Sequence, residues 1–382
     1  MSVLLSRRHL GLVAASLALA ATSCSKAKND EFVVGAFLSL SGSDSAFGVD
    51  TKNGIEQAVN EQNAAGGVKG KKIRVIYEDD RSMPSEASNK VRQLIDRDQA
   101  LAILGEVASS RTEPAAIVAN EKTVPLITPS STNVSITKNR EYAFRVCFTD
   151  DQQGDVAARF VKETLKKTNV ALLYVAQDNY SSGLAQSFKL SFEKLGGKIV
   201  ADKGYQKGET NYTTHLETIK AASPEIIFAP IYYNDMVQVA RQAKAAGIAG
   251  NTFVGGDGWD ANELLKGAGA ELEGAFFTNH YAPDVPWENA QAFLKTYRAK
   301  YNVEPTSMAA QGYDAAKLLF DAMGRAPEPT REAIKDAIKA TKGFQGATGT
   351  LTIDKDHNAN KPIVIVQIRG KQFKYSTQLV AQ

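Results

Sequence analysis

Five short segments carry hydroxyls, phenols and acids where a parallel sheet would present them to a ligand. Ala108-Ser109-Ser110-Arg111-Thr112 follows the apolar run 100–107, and Ser130-Ser131-Thr132-Asn133 follows 124–129. Asp178-Asn179-Tyr180 follows 170–176, Tyr232-Tyr233-Asn234-Asp235 follows 225–231, and Asp257-Gly258-Trp259-Asp260 follows 252–256. The first two segments put hydroxyls at predicted helix starts. Such starts combine free backbone N–H groups, O–H donors and the positive end of a helix dipole, which suits a small anion such as a carboxylate. The later segments offer a phenol and an acid, Tyr232 and Asp257, which suit a cation such as an ammonium. Together the two ends describe a zwitterion, an amino acid held at both charged groups. Each residue alone has a plainer reading. Ser and Thr at helix starts are commonly N-caps, Asp257 or Asp260 could cap the next helix, and Tyr180 and Tyr232 could be rim aromatics. Only the convergence of five such segments on one sheet edge points to a ligand.

The elements that must position them alternate regularly from Phe32 onward. Predicted strands cover 32–38, 72–80, 100–107, 124–129, 170–176, 198–205, 225–231 and 252–257. Helical patterns lie between them at 54–63, 85–98, from about Thr112, and at 153–166, 182–195, 212–222 and 235–246. Continuous apolar strands separated by helices imply parallel sheets covered on both faces, an α/β, doubly wound architecture. In such sheets ligands bind at the carboxyl ends of strands. The later chain differs: a strand at 273–283 leads into a crossing segment, and helices come next at 287–301, 307–324 and 330–341. A strand at 349–354 and a hairpin around Gly370 within 362–375 close the chain.

Composition narrows the function. The chain has 382 residues, 45 Lys and Arg against 42 Asp and Glu, a net charge of +3, and 43% apolar residues. That length suggests two domains, and the near-balanced charge disfavours nucleic acid as a partner. Two cysteines cannot form a disulfide scaffold or a four-cysteine zinc site, and His9, His215, His280 and His357 show no metal-ligand spacing. No G-x-S-x-G elbow, H-E-x-x-H, Walker loop or post-strand G-x-G-x-x-G occurs. Gly66-Gly67-Val68-Lys69-Gly70-Lys71 lacks phosphate-loop spacing and reads as a helix stop and turn. The expectation is no catalytic residue, no metal, no cofactor and no enzyme activity.

Residues 1–23 read as an export signal, with Arg7 and Arg8 before an uncharged apolar run from Leu10 to Ala21. Ser6-Arg7-Arg8-His9-Leu10 leaves both the general secretory and the twin-arginine routes open. Removing this segment lowers the side-chain charge from +3 to +1. Ala21-Thr22-Ser23-Cys24 resembles the lipobox of bacterial lipoproteins, which implies a lipid on Cys24, with 24–30 as a polar tether to the membrane surface. A plain signal peptide is the alternative. Cys147 would then have no partner and reads as a small buried hydrophobe beside a strand. No second stretch is long and apolar enough to suggest a membrane span.

The mature chain resembles the leucine/isoleucine/valine-binding proteins of hydrophobic-amino-acid ABC importers, type I periplasmic substrate-binding proteins. The resemblance runs from about Phe32 to Tyr375 and is carried by GAFLSLSGSDSAFGVDTKNGIEQAVNEQNAAGGVKGKKIRVIYEDD at 35–80, LGEVASSRTEPA at 104–115, PLITPSSTN at 125–133, and RQAKAAG with GGDGWD within 241–260. It implies two lobes, 31–148 plus 281–354 and 149–280 plus 355–382, joined by three hinge crossings near 146–150, 278–282 and 352–357. It implies side-chain donors to a ligand carboxylate at Ser109 and Thr132, backbone donors at Ser130 and Thr132, and ammonium partners at Tyr232 and Asp257. Phe47, Val107, Ala108 and Tyr180 would wall the side-chain pocket, with Met308 a further wall. Two departures stand out. The family's leucine-binding members have Glu where this chain has Asp257, and Ala108 replaces a cysteine that is disulfide-bonded in enteric members. Trp259 is expected to add bulk near the acid. The implied protein is an exported, membrane-anchored monomer, in the periplasm or at the cell surface, that delivers an amino acid to ABC permease subunits. The alternative is a ligand-sensing receptor module for an amino acid, amide, urea or small aromatic acid.

Overall fold

The computed structural model describes residues 31–381. The signal, the tether and Cys24 lie outside the described residues. The first sheet contains β1 (Glu31–Leu38), β2 (Lys72–Asp79), β3 (Ile103–Leu104), β4 (Leu126–Thr128) and β5 (Ala143–Arg145) in the order β2-β1-β3-β4-β5, all parallel. The second contains β6 (Asn169–Val175), β7 (Lys198–Tyr205), β8 (Ile226–Ala229), β9 (Phe253–Gly255) and β10 (Phe276–Asn279) in the order β7-β6-β8-β9-β10, again parallel. The same winding therefore occurs twice. A small antiparallel sheet is made by β11 (Phe344–Gly346), β12 (Gly349–Ile353) and β13 (Ala359–Asn360). Finally β14 (Ile363–Arg369) and β15 (Gln372–Leu379) extend the second sheet antiparallel to β10, turning through Gly370 and Lys371, both with positive φ as a tight hairpin requires.

The helices are α1 (Ser45–Ala64), α2 (Pro84–Asp96), α3 (Ser109–Glu121), α4 (Asp150–Arg159), α5 (Asn179–Lys194), α6 (Thr213–Ala221), α7 (Tyr233–Ala245), α8 (Asn262–Ala268), α9 (Glu288–Tyr301), α10 (Ser307–Arg325) and α11 (Arg331–Lys339). A five-residue π-helix, Phe160–Thr164, continues α4. α4 starts where the sequence demands it. Thr149 Oγ1 accepts from Gln152 N while the Gln152 side chain accepts from Thr149 N, a capping box followed by Asp150 and Asp151 in the first turn.

α1 opens nine residues before the predicted Gly54. A glycine on each helix serves packing: a Cβ on Gly54 of α1 would stand 1.9 Å from Ala309 O, and one on Gly312 of α10 would stand 2.4 Å from Thr51 O. Side chains at these positions would push α1 off α10, so glycines that look like helix breakers are what bring the two helices together. α3 likewise begins at Ser109 and carries Pro114 inside. The ladder of β3 covers only Ile103–Leu104, which leaves Val107 and Ala108 in the loop at its end. The short strands β5, β11 and β13 fall outside the sequence expectations, being two or three residues long.

The chain passes between the sheets three times. It leaves β5 through 146–149 into α4, which packs on α5. It leaves β10 through 280–287 into α9, after which α10 packs on α1. It returns after β13 into β14. The turn 354–358 leans on β5, where Arg145 N donates to His357 O at 3.2 Å and the His357 ring stacks on Phe144.

Candidate binding site

In a doubly wound sheet the loops after the first and third strands diverge, opening a crevice between them. Here there are two such points, one between β1 and β3 and one between β6 and β8. They face each other across a cavity of about 10 Å3 lined by Phe47, Val107, Ser109, Ser130, Tyr180, Tyr232, Asp257, Gly258 and Met308. All of these except Gly258 are residues the sequence singled out. The cavity holds about one water, so an amino acid enters only if its walls separate. A wider groove of about 750 Å3 is lined by Lys138, Arg140, Lys355 and other polar residues around the 354–358 turn. None of its lining side chains contributes a buried polar atom without a partner, whereas the small cavity has several beside it.

Asp257 defines one end. It is 3% exposed and sits in a short turn after β9. Gln153 Nε2 donates to its Oδ1 at 3.0 Å, and His280 Nε2 lies 3.2 Å from its Oδ2. It caps no helix: Ala261 occupies the N-cap of α8, and Asp260 turns away to Asn279 and Ser307. Burial pushes the His280 imidazole down to about 4, against the pull of Asp257, so the ring is uncharged at neutral pH. Among the described residues no Lys or Arg pairs with Asp257. A buried carboxylate with only neutral donors keeps its full attraction for a cation.

Aromatic rings hem the acid. Tyr180 and Tyr232 lie parallel at 5.0 Å, and Phe47 meets Tyr232 edge-on at 5.8 Å. Tyr180 OH accepts from Gly258 N at 3.0 Å. A Cβ on Gly258 would come within 3.0 Å of both tyrosines, which explains the glycine after the acid. Tyr232 OH is buried without a partner. Burial raises both phenols, so they remain O–H donors.

The opposite end is the start of α3 and the loop after β4. Ala108, not Ser109, is the N-cap, and Ser109 Oγ accepts from Asn133 N at 3.2 Å. Ser130 Oγ donates to Gln311 Oε1 at 2.9 Å, while Gln311 Nε2 holds Pro129 O at 2.8 Å. Thr132 and Ala108 do not line the cavity. Thr132 Oγ1 is buried beside the Asp150 carboxyl without a well-formed hydrogen bond, and neither Asp150 oxygen has a partner. Trp259 is also elsewhere. Contrary to expectation it adds no bulk beside the ligand space: its indole is fully buried in the core and donates to Ala229 O at 3.0 Å.

Sequence reasoning missed the frame behind the first switch point. The Glu106 carboxylate, fully buried, accepts from Ser39 N, Ala108 N and Arg111 Nε at 3.1, 2.7 and 3.0 Å. Arg111 Nη1 reaches Asp44 at 2.6 Å, one residue before α1. Burial opposes charge on Arg111, yet Glu106 and Asp44 outweigh it and hold the guanidinium protonated. This network ties the loops after β1 and β3 to the start of α1, where Phe47 sits. Its sequence signal was the Glu at the end of a strand-end motif followed five residues later by Arg. Gln153 and His280 had no local signal, being far from Asp257 along the chain.

Cross-sheet hydrogen bonds fasten the two halves. Asn133 Nδ2 donates to Asn179 O at 2.7 Å, Asn179 Nδ2 to Glu113 Oε2 at 2.6 Å, and Tyr233 OH to Ser43 O at 3.0 Å.

A family model described as periplasmic binding protein matches residues 31–372. An amino acid binding protein of Pseudomonas aeruginosa is 31% identical over 300 residues, covering 78% of this chain and 79% of its own. The crystal structure of a leucine binding protein from Thermotoga maritima superposes with a TM-score of 0.87 at 33% identity, covering 91% of this chain and 99% of that one. A branched-chain amino acid transporter substrate binding protein from Streptococcus pneumoniae, in complex with isoleucine, gives 0.85 at 33% identity over 92% of this chain and 99% of its own.

Proposed function

The chain belongs to the periplasmic binding protein family, with the type I fold, and from that premise we propose that it captures a neutral hydrophobic amino acid, branched-chain ones first, for an ABC importer. Members of the family bind ligands rather than transform them. The observation that carries the amino-acid reading is Asp257: a buried carboxylate, met only by the neutral donors Gln153 and His280, facing across one cavity the Ser109 hydroxyl at the head of α3 and Ser130 in the loop after β4. The acid suits an ammonium, and the Ser109 hydroxyl with its helix start suits a carboxylate. Phe47, Val107, Tyr180 and Met308 supply apolar wall between them.

A cavity of about 10 Å3 needs opening, and we assign that motion to two lobes, 31–148 plus 281–360 and 149–280 plus 361–382, turning about the three passages; the last boundary lies six residues beyond the 354 expected from the sequence, because β13 pairs with β12 and the 354–358 turn leans on β5. Residues 1–23 are read as the export signal and Cys24 as the lipid attachment that holds a monomeric binding protein at the membrane outside the cytoplasm, beside its permease. The isoleucine complex of the Streptococcus pneumoniae relative supports the choice of ligand class.

Calorimetry against the twenty amino acids, urea and benzoate tests the reading. A branched-chain or other neutral amino acid is expected to bind, and its decarboxylated amine and deaminated acid each to fail. Equal binding of the amine would remove the carboxylate assignment, and binding of benzoate with no amino acid would overturn the ligand class.

A further inference from the structure

We propose that His280 is a positioning residue that couples the acid of the binding site to the passages between the two sheets, so that orienting Asp257 and holding the site closed become one event. The proposal rests on reading Asp257 as the ammonium acceptor. His280 is the first residue after β10 and is fully buried. On one side its Nε2 reaches Asp257 Oδ2 at 3.2 Å. On the other its ring lies over that of Phe148, centroids 3.6 Å apart and planes within 18°. Phe148 belongs to the passage between β5 and α4, and His280 to the passage between β10 and α9. One imidazole therefore touches two of the three passages and the acid of the site.

The chemistry of the ring fits the role. The charged groups facing it are Asp257 and Lys361, and the ring is neutral between them. A neutral imidazole that donates from Nε2 leaves Nδ1 as an acceptor, and Nδ1 has no partner. Such a donor fixes the carboxylate's orientation without cancelling its charge. An imidazolium there would compete with the ligand's ammonium. The preceding residue works alongside it: Asn279 Nδ2 donates to Asp260 Oδ2 at 2.8 Å, and Asn279 Oδ1 accepts from His280 N at 2.9 Å. The last residue of β10 and the first of the passage after it thus hold both acids of the 257–260 turn. Relative rotation of the passages would slide Phe148 across the imidazole and withdraw its N–H from Asp257.

The test uses the full mature protein with L-isoleucine as probe, and two substitutions. His280→Gln keeps an N–H donor near the Nε2 position but loses the ring, and Phe148→Leu loses the stack without touching the site. Phe148→Leu is expected to weaken L-isoleucine at least threefold in the native background and to have no further effect beside His280→Gln. An equal effect in both backgrounds, or none in either, overturns the coupling. In the unsubstituted protein, 15N-histidine spectra should show His280 as the neutral Nε2–H form at pH 7, with both ring nitrogens shifting when L-isoleucine is added. Ring resonances that ignore the ligand overturn the coupling without any variant having to fold. Should the unsubstituted protein bind neither L-isoleucine nor any other amino acid, the ammonium reading itself falls, a result distinguishable from binding that is indifferent to His280.

Discussion

Asp260 Oδ2 accepts the backbone N–H of Ser307 at 2.7 Å, so an acid from the loop after β9 sits on the first turn of α10, a helix packed against α1 on the other half of the molecule. Asp260 is 2% exposed, and its carboxylate also takes Asn279 Nδ2 at 2.8 Å. Three residues earlier the same turn carries Asp257 into the cavity. If the two lobes part as proposed, the Ser307 bond breaks and leaves a free N–H at the start of a 19-residue helix. We expect Asp260→Ala to shift the molecule toward the open form, with a larger radius of gyration by small-angle X-ray scattering and about ten- to a hundredfold weaker ligand binding, as a lost charged hydrogen bond of about 1.5–3 kcal/mol would give. Unchanged scattering and affinity would show that the bond adds nothing to closure.

Asp257→Asn tests charge apart from shape. The amide keeps an acceptor for Gln153 or His280 and nearly the same volume, but it offers an ammonium no opposite charge. Amino-acid affinity is expected to fall at least tenfold by calorimetry, about as far as in Asp257→Ala. Retention of native affinity in Asp257→Asn would mean that the side chain serves as a hydrogen-bond acceptor only.

Much of this site was legible because one rule did the locating. Ligands gather at the carboxyl ends of parallel strands, so Ser109, Ser130, Tyr180, Tyr232 and Asp257 could be found from their places just beyond the apolar runs, and all five line the cavity. The rule gives a loop and not a side-chain direction, which is why Thr132 and Trp259, in the right loops, point elsewhere. Phe47, Val107 and Met308 came from resemblance, since an apolar residue beside a cavity has the same local pattern as one in the core. Gln153 and His280 were out of reach: they approach Asp257 only through the packing of α4 and the passage after β10. The early start of α1 was hidden for a related reason. Gly48 and Gly54 look like helix breakers until Ser39 and α10 are seen to press against them.

Arg111 should be worth more to stability than to ligand contact. It is 1% exposed and pairs with Glu106 and Asp44, themselves buried. Arg111→Ala leaves two carboxylates without their cation, a loss of about 3–5 kcal/mol, visible as a lower midpoint in thermal or urea unfolding. A midpoint within a degree of the native one would show that Ser39 N and Ala108 N suffice for Glu106.

Cys24→Ala tests the anchor. If Cys24 carries lipid, the exported protein with alanine there should leave the membrane fraction and appear in the soluble extracytoplasmic fraction, with ligand binding unaltered. Persistence in the membrane fraction would reject the lipobox reading.

His280 also gives the fold a measurable pH dependence. Its ordinary value of 6.5 falls to about 4 in the folded protein because burial disfavours the imidazolium, with Lys361 pushing the same way and Asp257 opposing. Between those values the unfolded chain binds more protons than the folded one, so this group's contribution is complete above about pH 6.5 and is lost as pH falls toward 4. At about 1.4 kcal/mol per pH unit of displacement the ceiling is about 3 kcal/mol. Asp50 and Asp80 work in the opposite sense: burial raises each to about 7, so the folded state holds their protons more tightly and their contribution declines as pH rises through that range. Whole-protein stability mixes these effects, but the acids are the same in His280→Gln. The unfolding free energy lost between pH 7 and pH 4 should therefore be smaller in the variant than in the native protein, by up to the ceiling above. Equal losses would mean that His280 is not held neutral by the fold.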